Sequence, residues 1–259
     1  MTSTLRRPLI AGNWKMHLTL AQSVDLAKAV KDGAAGAAGE IALCVPPTAV
    51  AVVGEVLRGS AIRLGAQNCH WEPQGAFTGE VSAAQLSDAG CKAVIIGHSE
   101  RRKLFGESDE WVNKKLKAAL AAKLMPIVCV GETLAERESQ QTFRVLQTQL
   151  EEGLKGFAPA ELATLVIAYE PVWAIGTGKT ATPQQAQEAH FFIRKTVGRL
   201  YSEGFAAGMR ILYGGSVKAE NVDALMSQPD LDGALVGGDS LKSVSFLRII
   251  HFQAMSEAK

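Results

Sequence analysis

The sequence lacks a charge imbalance, paired cysteines, a long apolar run and any linker. Its 27 Lys and Arg stand against 26 Asp and Glu, a formal net charge of +1, so no chain-wide basic field draws it to nucleic acid or to a membrane surface. The four cysteines, Cys44, Cys69, Cys91 and Cys129, are widely spaced and form no C-x-x-C pair, which removes the usual zinc and dithiol redox motifs and fits a reducing compartment. Five histidines are scattered singly, and no His/Cys/Asp cluster suggests a metal. The stretch Met1–Pro8 leads into an apolar run of only three residues, too short for a signal-peptide core or a membrane span. A cytoplasmic protein acting on a small molecule is the expectation.

Apolar residues make up 47% of the 259 and charged residues 20%, the balance of a folded soluble chain. Eight short β-rich runs recur: Leu9–Ala11, Ile41–Val45, Ile62–Ala66, Ala93–Ile96, Ile127–Val130, Leu165–Tyr169, Arg210–Tyr213 and Ala234–Val236. Most are continuously apolar, as expected when both faces of a parallel sheet are covered. Stretches of helical periodicity separate them, among them 110–124, 134–154 and 183–201, the last with Thr182 as N-cap and Pro183 in the first turn. Strand and helix alternate without a Pro/Ser-rich break, whereas two doubly wound sheets would normally show a boundary. The expectation is one α/β domain over residues 1–259, a closed (β/α)8 barrel.

Chemistry in such barrels sits on the loops that follow the strands. The first strand is followed by Gly12-Asn13-Trp14-Lys15, an amide and a cation two residues apart, and the fourth by Gly97-His98-Ser99-Glu100. Taken singly, Lys15 reads as a solvated lysine and His98 as a structural histidine. The sixth strand ends in Tyr169-Glu170-Pro171; a carboxylate there either caps the strand in an ion pair or is a general base whose pKa partial burial raises. The following Val172–Gly178, apolar between a proline and glycines, reads as a hinged lid. Gly214-Gly215-Ser216 and Gly237-Gly238-Asp239 close the last two strands, and paired glycines in these two loops suit a phosphate. Two nucleotide motifs fail. Gly178-Lys179-Thr180 would need a glycine where Trp173 stands. Gly176-x-Gly178-x-x-Ala181 lies too far beyond its strand for a dinucleotide turn.

The segments Ala11-Gly12-Asn13-Trp14-Lys15-Met16, Gly97-His98-Ser99-Glu100-Arg101-Arg102, Cys129-Val130-Gly131-Glu132, Ala168 through Gly178 and Tyr213-Gly214-Gly215-Ser216-Val217 resemble, in order, those of the triosephosphate isomerase family. The resemblance runs from near residue 8 to about residue 250. It implies interconversion of dihydroxyacetone phosphate and glyceraldehyde 3-phosphate through an enediolate, without cofactor or metal. Glu170 is then the base, His98 the electrophile, Lys15 the cation and Asn13 a polar partner in the pocket. Gly176, Ser216, Gly237 and Gly238 contact the phosphate. The loop Gly75-Ala76-Phe77-Thr78-Gly79-Glu80 resembles the family's dimer loop, which implies a homodimer with Thr78 near the partner's site. One departure is Asp239, where a small alanine is expected; a carboxylate beside a phosphate should turn to solvent and cap the next helix. Three other readings compete: an isomerase of a four-carbon sugar phosphate, a silent sugar-phosphate-binding barrel, and a barrel aldolase. The aldolase lacks a strand-end lysine at the sixth strand and a histidine set for zinc. Retention of Asn13, Lys15, His98 and Glu170 together argues against the silent barrel.

Overall fold

A computed structural model describes residues 6–176 and 180–254. All eight expected strands form: β1 (Leu9–Asn13), β2 (Glu40–Val45), β3 (Arg63–Ala66), β4 (Ala93–Ile96), β5 (Met125–Val130), β6 (Val166–Tyr169), β7 (Arg210–Tyr213) and β8 (Gly233–Val236). Each pairs in parallel with its neighbours, and β8 closes on β1 with Leu9 opposite Gly233. Closure leaves no strand edge.

The apolar runs are continuous because alternate residues serve two cores. Leu9, Ala11, Ala42, Cys44, Ile95, Ile127, Cys129, Val166 and Ala168 fill the barrel interior. Ile10, Ile41, Leu43, Val94, Val128 and Ile167 face outward and pack with helix residues such as Val53, Leu116, Leu150 and Ile193. The same period of two, carried past the strand ends, turns Asn13 and Glu170 toward the mouth of the barrel, since they follow Leu9 and Ala11, and Val166 and Ala168, in phase.

Helices begin where their caps stand. Thr182 accepts from Gln185 N and starts the helix Pro183–Leu200, and Ser108 starts Asp109–Ala121 by accepting from Trp111 N. The helix expected over 134–154 is two, Leu134–Glu138 and Thr142–Gly153. The break is local: the Ser139 hydroxyl bonds back to Ala135 O at 2.7 Å, and Gln140 takes a left-handed φ of 58°. The final helix, Ser243–Ile250, lays Phe246 against Gly12, and His251 Nε2 reaches Gly33 O at 2.8 Å, tying this helix to β1 and the helix that follows it.

Candidate active site

A cavity of about 330 Å³ opens at the C-terminal ends of the strands, near the lower limit for small-ligand sites. All eight site residues expected from the sequence line it: Asn13, Lys15, His98, Glu170, Gly176, Ser216, Gly237 and Gly238. Loops separated by more than two hundred residues of sequence thus converge on one volume.

The Glu170 side chain is 2% exposed, with Oε1 at 2.9 Å from His98 Nε2 and Oε2 accepting from the Ser99 backbone at 2.8 Å. Its backbone is equally fixed: Glu170 N donates to Val130 O at 2.8 Å, and the residue lies between two glycines. A Cβ at Gly131 would stand 1.8 Å from Glu170 O, and one at Gly214 would stand 2.8 Å from Glu170 Cγ. The rise in pKa expected from burial is not found in this conformation. Burial, the largest single influence, does push the carboxyl up, but the His98 ring, its hydrogen bond, the Ser99 N–H and the Cys129 thiol outweigh it and hold the pKa below the ordinary value. These partners are remote in sequence from Glu170.

His98 caps the helix Ser99–Phe105, its Nδ1 accepting from Glu100 N at 3.2 Å. A nitrogen that accepts an N–H carries no proton, so the proton sits on Nε2, which donates to Glu170. Burial works against the charged ring most strongly, yet the adjacent Glu170 carboxylate and its hydrogen bond raise the His98 pKa overall. That rise depends on Glu170 staying where it is. Gly97 makes the turn that aims the ring: its φ is 71°, its N–H donates to Glu107 Oε1 at 2.8 Å, and a Cβ there would meet Val112 at 2.7 Å.

Lys15 also adopts a left-handed backbone, φ 51°, which costs a non-glycine residue about 1–2 kcal/mol. It is held there by Asn13 Oδ1, which accepts from Lys15 N at 3.0 Å, and by Gln67 Nε2, which donates to Lys15 O at 2.9 Å and Cys44 O at 3.0 Å. Its Nζ meets Glu100 Oε1 at 2.5 Å, and Gly237 faces its Cε. Asp239 is half-buried and lines the cavity, with Oδ1 accepting from Ser245 Oγ at 2.7 Å. The carboxylate is therefore tied to the first turn of the last helix rather than freely solvated. No group of three or more His, Cys, Asp or Glu is placed to hold a metal among the described residues.

The start of the lid is anchored. Trp173 Nε1 donates to Glu132 Oε1 at 2.9 Å, Tyr169 OH donates to the same carboxylate at 3.1 Å, and the Arg137 guanidinium stacks over the Trp173 ring. Of the glycines expected as the far hinge, Gly176 takes a left-handed φ of 69°, and Gly178 lies outside the described residues. Sequence reasoning missed His17 at the cavity rim, Glu100 beside Lys15, and the buried Glu107, which accepts from Lys115 Nζ at 2.6 Å and Arg101 Nε at 2.8 Å beneath the His98 turn.

Known proteins resemble this chain over nearly its whole length. The family model described as triosephosphate isomerase matches residues 8–253. The chain is 57% identical over 250 residues to the triosephosphate isomerase of Pelobacter propionicus, covering 96% of this chain and 100% of that one. It is 56% identical to that of Moorella thermoacetica, covering 96% and 99%. Among solved structures, triosephosphate isomerase from Bartonella henselae superposes with a TM-score of 0.85 at 43% identity, over 94% of this chain and 97% of that one.

Proposed function

This chain belongs to the triosephosphate isomerase family, and from that premise we propose how its residues share the interconversion of dihydroxyacetone phosphate and D-glyceraldehyde 3-phosphate, the glycolytic step it catalyses. Glu170 is the base. It takes a proton from the carbon beside the carbonyl, the C–H electron pair becomes the C=C of an enediolate, and the carbonyl oxygen takes up the charge. The proton is then returned to the neighbouring carbon through the C=C electron pair, while the hydroxyl proton of the other oxygen passes to the former carbonyl oxygen, leaving the new carbonyl. The observation that carries this is the in-phase placement of Glu170 on the cavity wall, 2.9 Å from His98.

In the resting arrangement Glu170 and His98 satisfy each other. When substrate enters, Glu170 leaves Ser99 N and His98, loses the groups that lower its pKa while remaining buried, and becomes a stronger base. The same movement frees the His98 Nε2–H to donate to the developing oxyanion, and withdraws the carboxylate that raised the ring's pKa, so the ring donates as neutral imidazole. Lys15 exchanges Glu100 for the anionic substrate, with Asn13 holding its backbone. Gly176, Ser216, Gly237 and Gly238 surround the phosphate, where backbone N–H groups can approach closely. No cofactor enters the step. Lid closure then excludes water from the enediolate.

The chain is read as one barrel domain, cytoplasmic, and working as a homodimer. Support for the dimer comes from the loop 75–80, which stands exposed with the Phe77 ring tilted against His70 at 4.4 Å, and from Met16, 95% exposed beside Lys15. The testing experiment is a coupled assay of dihydroxyacetone phosphate formation without added metal or nucleotide, on the parent and on Glu170→Asp. Shortening the base by one methylene should lower kcat about a hundredfold; equal rates would remove Glu170 from the role.

A further inference from the structure

The base is held from behind by a residue with no place in the chemistry. Gln149, on the helix Thr142–Gly153, accepts from Gly131 N through Oε1 at 2.8 Å and donates from Nε2 to Gly131 O at 3.2 Å. One side-chain amide thus engages both polar groups of a single residue, much as a neighbouring strand would. Gly131 directly follows β5 and is the residue against which the Glu170 backbone rests, with no room for a Cβ between them. The two residues on either side of Gly131 hold the same segment: Val130 O accepts from Glu170 N at 2.8 Å, and Glu132 O accepts from Val172 N at 3.0 Å. From the outer helix layer, Gln149 therefore fixes the residue that backs the base, through the peptide groups on both sides of it.

We propose that Gln149 is a positioning residue for proton transfer: its two hydrogen bonds to Gly131 set the backbone position from which the Glu170 carboxylate reaches substrate. This rests on Glu170 being the base. Apart from Gly176, farther along the Glu170 loop, the phosphate residues Ser216, Gly237 and Gly238 lie on the loops after β7 and β8, so the loss should fall mainly on kcat and leave KM nearly unchanged.

The test compares Gln149→Leu, Gln149→Glu and, as reference, Glu170→Gln in the full-length enzyme, with dihydroxyacetone phosphate protiated or deuterated at the transferred position. Gln149→Leu removes both bonds. It should lower kcat about tenfold with KM within about twofold, and enlarge the deuterium isotope effect on kcat as the chemical step slows. Gln149→Glu keeps the acceptor but loses the donor, and should lose about threefold. Folded Gln149→Leu with the parent's kcat and isotope effect, whatever its melting temperature, overturns the proposal. If Gln149→Leu fails to fold, a parental kcat and isotope effect in Gln149→Glu overturns it equally. An active Glu170→Gln would instead sink the base assignment, so the two failures are distinguishable.

Discussion

Alanine at position 131 should disable the enzyme without touching a group that meets substrate. Its Cβ would lie 1.8 Å from Glu170 O, 2.6 Å from Glu170 C and 3.2 Å from Glu170 Cα. Real Cβ atoms essentially never come within 3.0 Å of such an atom, so at least 3.0 − 1.8 = 1.2 Å must open between two backbones. Neither side yields cheaply, because Glu170 N is bonded to Val130 O and Gly131 N to Gln149. A shift of about 1 Å in a reacting group costs about a hundredfold, or roughly 2.7 kcal/mol in the barrier. Overpacking adds about 1–3 kcal/mol of destabilisation. The assay is kcat and KM for Gly131→Ala well below its melting temperature, with circular dichroism to establish folding. Gly208→Ala, where an added Cβ meets nothing within 4 Å, is the control and should keep the parent's kcat. A folded Gly131→Ala variant within about threefold of the parent's kcat would refute the idea that this close approach positions the base.

Other parts of the structure make separate predictions. Glu107→Gln leaves Lys115, 2% exposed, without its carboxylate, and should destabilise the protein by about 3–5 kcal/mol in urea unfolding; a change below about 1 kcal/mol would contradict the pairing. Glu170 has a folded pKa below its unfolded value of 4.5, so its stabilisation is present above pH 4.5 and fades as pH falls through the folded value. The stability gap between the parent and Glu170→Gln should therefore narrow as pH falls below 4.5; a widening gap would reverse the sign. All four thiols are buried, and burial pushes Cys44 and Cys69 up to about 12 and Cys91 to about 11. None should react promptly with a thiol reagent at pH 8 in the native protein, and a fast-reacting equivalent would mean an opening the structure does not contain.

The barrel was legible because parallel strands covered on both faces leave continuous apolar runs, and because the period of two carries through Glu170 and Asn13. Loop motifs supplied the rest of the cavity. What stayed hidden depended on partners remote in sequence. Glu100 lies 85 residues from the lysine it meets, and Gln67 lies 52 residues from the carbonyl it holds. Gln149 sits in a stretch whose pattern says only amphipathic helix. The downward shift at Glu170 needed His98 and Ser99, so burial alone gave the wrong direction. The break at Ser139–Gln141 carries neither glycine nor proline, and a single hydroxyl bonding to its own helix leaves no periodic trace.

In the proposed reaction a carboxylate, Glu170, moves the hydrogen as a proton. The direct measurement is to run the reaction in D2O and read deuterium in the product by NMR, for the parent and for Glu170→Gln. A proton resting on Glu170 can exchange with solvent, so deuterium should appear at the newly protonated carbon in the parent, and both turnover and incorporation should be lost in the variant. Turnover with no deuterium incorporated would point to direct hydride transfer, and undiminished incorporation in Glu170→Gln would place the base elsewhere.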